Sequence, residues 1–129
     1  MPPIDQLQRP DEHEIEKLGK QGIFTTGLLL EVSETPTRRI NLADQVGVTT
    51  NDVNAWRDEA LILNLANFGR DEQVLFAQAG IVGLSDLLAL DLEAFSARIE
   101  QAARVLETEP PAPLIIEGWW DQAQTLAET

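Results

Sequence analysis

Residues 18–30 read LGKQGIFTTGLLL and residues 76–88 read FAQAGIVGLSDLL. Gly22-Ile23 falls on Gly80-Ile81, and Leu29-Leu30 falls on Leu87-Leu88. Further along, VNAWRDEALIL at 53–63 lies over IEGWWDQAQTL at 116–126. This alignment sets Val53 on Ile116, Trp56 on Trp119, Asp58 on Asp121, Ala60 on Ala123 and Leu63 on Leu126. An echo that keeps glycines, leucines and a tryptophan in register is the mark of a duplicated structural unit. The expected fold is all-α, a single helical domain over 11–129 with repeat-like halves at about 11–62 and 63–127.

Working outward, helix signals follow one another closely. Residues 11–20 place acids first and Lys17 and Lys20 last, the polarity that complements a helix dipole, and Gly22 stands where a C-terminal cap belongs. Thr25 or Thr26 opens a short helix, Thr35-Pro36 opens another that stops near Gly47, and Thr49 or Thr50 caps the Trp56 helix. In the second half a turn at Asn67-Phe68-Gly69 precedes a helix over 71–79, and Ser85 is the expected cap of a short helix. Leu92, Phe95, Ile99, Ala102 and Leu106 recur at spacings of three and four and so predict one apolar stripe. The Pro-rich connector ETEPPAP at 107–113 interrupts the helices, and 114–126 resumes them. Residues 1–10, with three prolines, read as an extended N-terminal arm.

The formal charge is −13, from 22 acidic and 9 basic residues. After residue 60 the bases are Arg70, Arg98 and Arg104, and none follows. Phosphate backbones and anionic headgroups draw their affinity from Lys and Arg, so the expected partner is another protein with a basic surface. Absence of cysteine excludes disulfides, thiolate metal sites and a Cys nucleophile. The start MPPIDQLQRPDEHE lacks the basic and apolar regions of a secretory signal, and no apolar run approaches membrane-spanning length. A cytoplasmic location without a membrane span is the expectation.

Catalytic chemistry finds little to stand on. His13, within Asp11-Glu12-His13-Glu14, has no second His or Cys to share a metal. Ser33, Ser85 and Ser96 lie outside any Gly-x-Ser-x-Gly elbow. Adjacent acids such as Asp58-Glu59 and Asp71-Glu72 point about 100° apart on a helix and cannot flank one bond. No enzyme, cofactor or metal is therefore expected.

Two stretches look like nucleic-acid modules. Residues 42–57, LADQVGVTTNDVNAWR, have the outline of a helix-turn-helix: Ala43 and Gly47 allow close crossing, while Leu42, Val46, Val48, Val53 and Trp56 pack. Its reading helix nevertheless carries Asp52, Asp58 and Glu59, with Arg38 and Arg39 as the nearby phosphate ligands. Residues 63–88 resemble a helix-hairpin-helix, in which backbone amides of a Gly-hydrophobic-Gly turn grip a phosphate. Here Asn67 replaces the first Gly, Phe68 and Gly69 remain, and Arg70 is followed by Asp71-Glu72.

Gly22-Ile23, Thr25, Leu42-Ala43, Gly47-Val48, Val53-x-x-Trp56, Ala60, Leu75, Ala79-Gly80-Ile81 and Leu87-Leu88 together resemble a bacterial family of unknown function, frequent in cyanobacteria, with tandem helix-hairpin-helix-like domains. The resemblance spans most of 12–105. It implies a helical domain with tandem hairpins and no catalytic residues or cofactor.

Trp120 stands where the first copy has Arg57, so no apolar stripe accounts for it. Flanked by Glu117 and Asp121, it is the expected partner anchor, against the alternative of packing under the connector. The functional expectation is a non-enzymatic protein–protein interaction module, an adaptor or assembly factor with an acidic surface. The alternative is a divergent nucleic-acid-binding protein using Arg38, Arg39, Asn67, Gly69 and Arg70.

Overall fold

The computed structural model describes residues 2–128. A 3-10 turn at Ile4–Gln6 leads into α1 Glu12–Lys20, α2 Thr26–Val32, α3 Pro36–Val46 and α4 Thr50–Leu63, then α5 Arg70–Gln78, α6 Leu84–Leu88, α7 Leu92–Val105 and α8 Pro113–Ala127. The fold is all-α. Among the described residues the β pairing is confined to one isolated bridge, Pro3 to Thr25.

Helix starts follow from local chemistry. The Asp11 carboxylate accepts the Glu14 N–H while Glu14 accepts the Asp11 N–H, a reciprocal box at the head of α1. Thr25, Thr35, Thr49 and Asp91 cap α2, α3, α4 and α7 in the same sense, each accepting an otherwise orphaned amide. α6 departs from the expected cap at Ser85. Its N-cap is Gly83, and the Asp86 carboxylate accepts both the Val82 and Gly83 amides at 3.1 and 3.0 Å. Hydrogen bonds to an ionised acceptor are shorter and stronger than those to a neutral one, which favours the carboxylate at this cap.

Contacts divide the chain after Asn64 into two units. In the first, α1 packs on α3, and α2 and α3 both pack on α4; in the second, α5 packs on α7, and α6 and α7 both pack on α8. The same pairing scheme thus recurs, with α1 and α5 starting at equivalent positions in the register set by Gly22 and Gly80. Those two glycines have φ of +78° and +79°, the left-handed conformation a side chain would strain. Leu18, Ile23, Leu29, Val53, Trp56 and Ala60 are buried in the first unit, and their counterparts Phe76, Ile81, Leu87, Ile116, Trp119 and Ala123 in the second.

The second core is aromatic. Phe76 lies edge-on to Phe68 at 4.8 Å, to Trp119 at 5.1 Å and to Phe95 at 5.8 Å between ring centroids. Phe95, Ile99 and Ala102 form the buried stripe of α7 as their spacing predicts. Leu106 leaves that stripe: α7 ends at Val105 and Leu106 is 36% exposed. The chain then reverses through Glu107 at φ +55°, with the Thr108 N–H donating to the Ala103 carbonyl at 3.0 Å. Since a non-glycine residue is strained there, Glu107→Gly should raise stability by about 0.5–1 kcal/mol in urea titration.

The arm at residues 1–10 is built into the first unit from Pro2 onward. Ile4 and Leu7 are buried, the Ile4 N–H donates to the Phe24 carbonyl at 2.9 Å, and the Thr26 N–H donates to the Pro2 carbonyl at 3.0 Å. Glu59, 2% exposed on α4, accepts the Gln8 and Arg9 amides at 2.7 and 3.0 Å. Arg9 completes the clasp by donating to the Ala55 carbonyl and the Asp58 carboxylate. Among the described residues no helix is long and apolar enough to cross a membrane.

Candidate functional site

Cations come first, because a nucleic-acid reading depends on them. Arg38 and Arg39 on α3 and Arg57 on α4 converge on the C-terminal end of α2. Arg38 Nη1 donates to the Glu31 carbonyl at 3.3 Å and lies 4.0 Å from the Glu34 carboxylate. Arg39 donates to the Ser33 and Glu34 carbonyls at 2.9 and 3.2 Å. Arg57 Nη1 reaches the Leu30 carbonyl at 2.9 Å and Ser33 Oγ at 2.7 Å, and the Ser33 hydroxyl donates to the Leu29 carbonyl. The last carbonyls of a helix lack internal donors and form the negative end of its dipole, so guanidinium groups settle there. Burial holds the Arg57 guanidinium below its ordinary value; the Arg39 charge adds to this and Glu34 opposes it.

These same elements make up the helix-turn-helix outline. Leu42, Ala43, Val46, Val53 and Trp56 are buried, and Gly47 turns the chain at φ +78°. Val48 is half-buried. Asp52 is drawn into the turn, where its carboxylate accepts the Thr49 amide at 3.0 Å.

At the second candidate, Asn67 adopts φ +59°, and the Gly69 amide donates to Glu72 Oε1 at 2.9 Å. The equivalent Asp11 amide meets Glu14 Oε1 at the same 2.9 Å. In both units a carboxylate of the chain occupies the amide that a phosphate-gripping hairpin would present. Arg70 is exposed beside Asp71 and Glu72. Metal-ligand geometry is equally unsupported: His13 is exposed, and among the described residues no group of three His, Cys, Asp or Glu is poised for an ion.

Trp120 is half-buried, and its indole N–H donates to the Leu90 carbonyl at 3.3 Å, just past the end of α6. This places it in the structural role of its sequence counterpart. Arg57 donates to a carbonyl in the last turn of α2, and Trp120 to a carbonyl two residues past the matching short helix. Sequence comparison sees a charged residue exchanged for an aromatic one; the shared function of both as long-range backbone donors emerges from the coordinates. Glu117 and Asp121 flank it on α8 and are exposed.

A concavity lies elsewhere in the second unit. A groove of about 720 Å³ runs between α5, the connector and the start of α8. Val74, Leu75, Leu106, Pro111, Ile115 and Trp119 give it apolar surface, and Asp71, Glu72 and Glu109 supply its charge. Val74 is 55% exposed and Ile115 36%. Trp119 is held rigidly beneath, 2% exposed, with its N–H donating to the Ala66 carbonyl at 2.7 Å. Of these residues, sequence reasoning singles out Asn67, the connector, Trp119 as core, Leu106 as stripe, Leu75 and the Asp71-Glu72 pair, each for a separate reason, but not the groove they form together. Val74, apolar but off the stripe that buries Leu75 and Phe76, is the signal the sequence offers.

Residues 10–126 match the model of a protein family described as Domain of unknown function (DUF4332). No curated protein and no solved structure matches the chain.

Proposed function

We propose, on the premise that the chain belongs to this domain family of unknown function, that it is a non-enzymatic protein–protein interaction module. It acts as an adaptor or assembly factor in the cytoplasm, and its acidic surface takes a partner with a basic one. The two units, on this reading, are helix-hairpin-helix-like in descent and have given up phosphate binding. One observation carries the proposal: Val74, 55% exposed, and Ile115, 36% exposed, line one groove with Asp71, Glu72 and Glu109, in a half whose bases are Arg70, Arg98 and Arg104. Apolar surface beside an acidic rim suits a partner that brings both an apolar contact and positive charge. The engagement of Arg38, Arg39 and the Gly69 amide within the chain weighs against the nucleic-acid alternative.

Affinity purification of the full chain from its native cell, with nuclease added, tests this. Retention of a protein that charge reversal of exposed acids releases, through either Asp71→Lys with Glu109→Lys or Glu117→Lys with Asp121→Lys, is the expected result. Raising salt from about 50 to 200 mM should weaken capture only modestly, whereas phosphate binding through several cations would lose on the order of a thousandfold. A retained nucleic acid with that steep dependence, requiring Arg38, Arg39 or Arg70, would overturn the reading.

A further inference from the structure

The connector groove of the second unit allows the partner's chemistry to be specified. We infer that this groove docks an amphipathic segment of a partner protein, with Leu-like side chains on one face and Lys or Arg along its edges. The inference rests on the interaction-module reading and deepens it.

The floor is prepared in advance. Trp119, 2% exposed, is held by its bond to Ala66 and by edge contacts with Phe76 at 5.1 Å and Phe68 at 6.4 Å, so it backs the groove's exposed side chains with packed structure that need not be ordered on binding. Val74 and Ile115 stand above it, 55% and 36% exposed, and give an incoming side chain apolar surface to cover. The rim then selects the occupant. Asp71 and Glu72 lie in the first turn of α5, Glu109 lies on the connector, and among the described residues no base lines the groove. An anionic occupant such as a fatty acid or phosphate would meet repulsion. A purely apolar one would take carboxylates out of water without compensation. A second copy of the chain would bring a further −13 of charge to the same rim. A cationic amphipathic segment meets both requirements, with its apolar face on the floor and its cations on the rim.

The test uses the full chain and a labelled amphipathic peptide of Leu and Lys, with a Leu/Glu peptide of the same pattern and a Ser/Lys peptide as comparisons. Fluorescence anisotropy should show saturable binding of the Leu/Lys peptide alone, and amide shifts should centre on Val74, Leu106 and Ile115. Asp71→Lys with Glu109→Lys should weaken that binding at least about tenfold and admit the Leu/Glu peptide. Val74→Arg, at an exposed position, should weaken it comparably while the melting curve stays in place. Absence of Leu/Lys binding overturns the proposal, as does equal binding of Ser/Lys, which would show attraction by charge alone. Shifts centred on Glu117, Trp120 and Asp121 would also overturn it and leave the interaction-module reading standing. Self-association of the chain abolished by Val74→Arg would assign the groove to a second copy and likewise overturn it.

Discussion

Trp119→Ala should cost about 3–5 kcal/mol, a large share of the roughly 5–15 kcal/mol that holds a domain folded. Three losses combine. The indole is 2% exposed, so truncation leaves a cavity in a close-packed region. Its edge contacts with Phe76 and Phe68 vanish. The Ala66 carbonyl, which receives the indole N–H at 2.7 Å, loses its donor. Urea titration should show the lowered midpoint, and amide exchange should accelerate across α5, α7 and α8. Trp119→Phe keeps much of the ring contact and loses the N–H, so it should cost less, on the order of 1–3 kcal/mol. A loss under about 1 kcal/mol from the alanine change would contradict the packing described for this residue.

Glu59→Ala should release the N-terminal arm. Two backbone amides, Gln8 and Arg9, depend on one carboxylate of α4, and hydrogen bonds to a charged acceptor are worth about 1.5–3 kcal/mol each before their sites are rehydrated. The net loss should therefore be about 2–4 kcal/mol. Hydrogen exchange should rise first at Gln8, Arg9 and Ile4, the last because its N–H reaches Phe24 only while the arm is docked. Glu59→Gln retains one acceptor oxygen but no charge and should fall between the two. Unchanged exchange at Gln8 and Arg9 in the alanine variant would show that the arm is held by Ile4 and Leu7 burial without the carboxylate.

Both predictions mark where sequence reading succeeds and where it stops. Trp119 is legible as core because its copy, Trp56, sits on an equally apolar stripe, and both are 2% exposed. Glu59 is not legible: beside Asp58 it looks like one more solvated acid, and its burial depends on a proline-containing arm folding back over α4. Trp120 lies between these cases. Its mismatch with Arg57 is plain in the alignment, yet both residues donate to a backbone carbonyl at or just beyond a short helix, from α4 to Leu30 and from α8 to Leu90. No pattern of residue types reveals that equivalence, because a guanidinium and an indole share little beyond an N–H on a long side chain.

By itself the sequence determined the helices, the threonine caps of α2, α3 and α4 and the duplicated scheme, because capping bonds, apolar periodicity and left-handed glycines act within a few residues of chain. The tertiary structure alone decided which charges are spent internally and which surface stays open. Arg38, Arg39 and Arg57 are drawn to α2, Glu59 is committed to the arm, and the groove beside Val74 and Ile115 lies open between α5, the connector and α8. Those outcomes depend on residues far apart in the chain meeting in space, and the repeat in the sequence specifies the packing of each unit without specifying how its side chains are used.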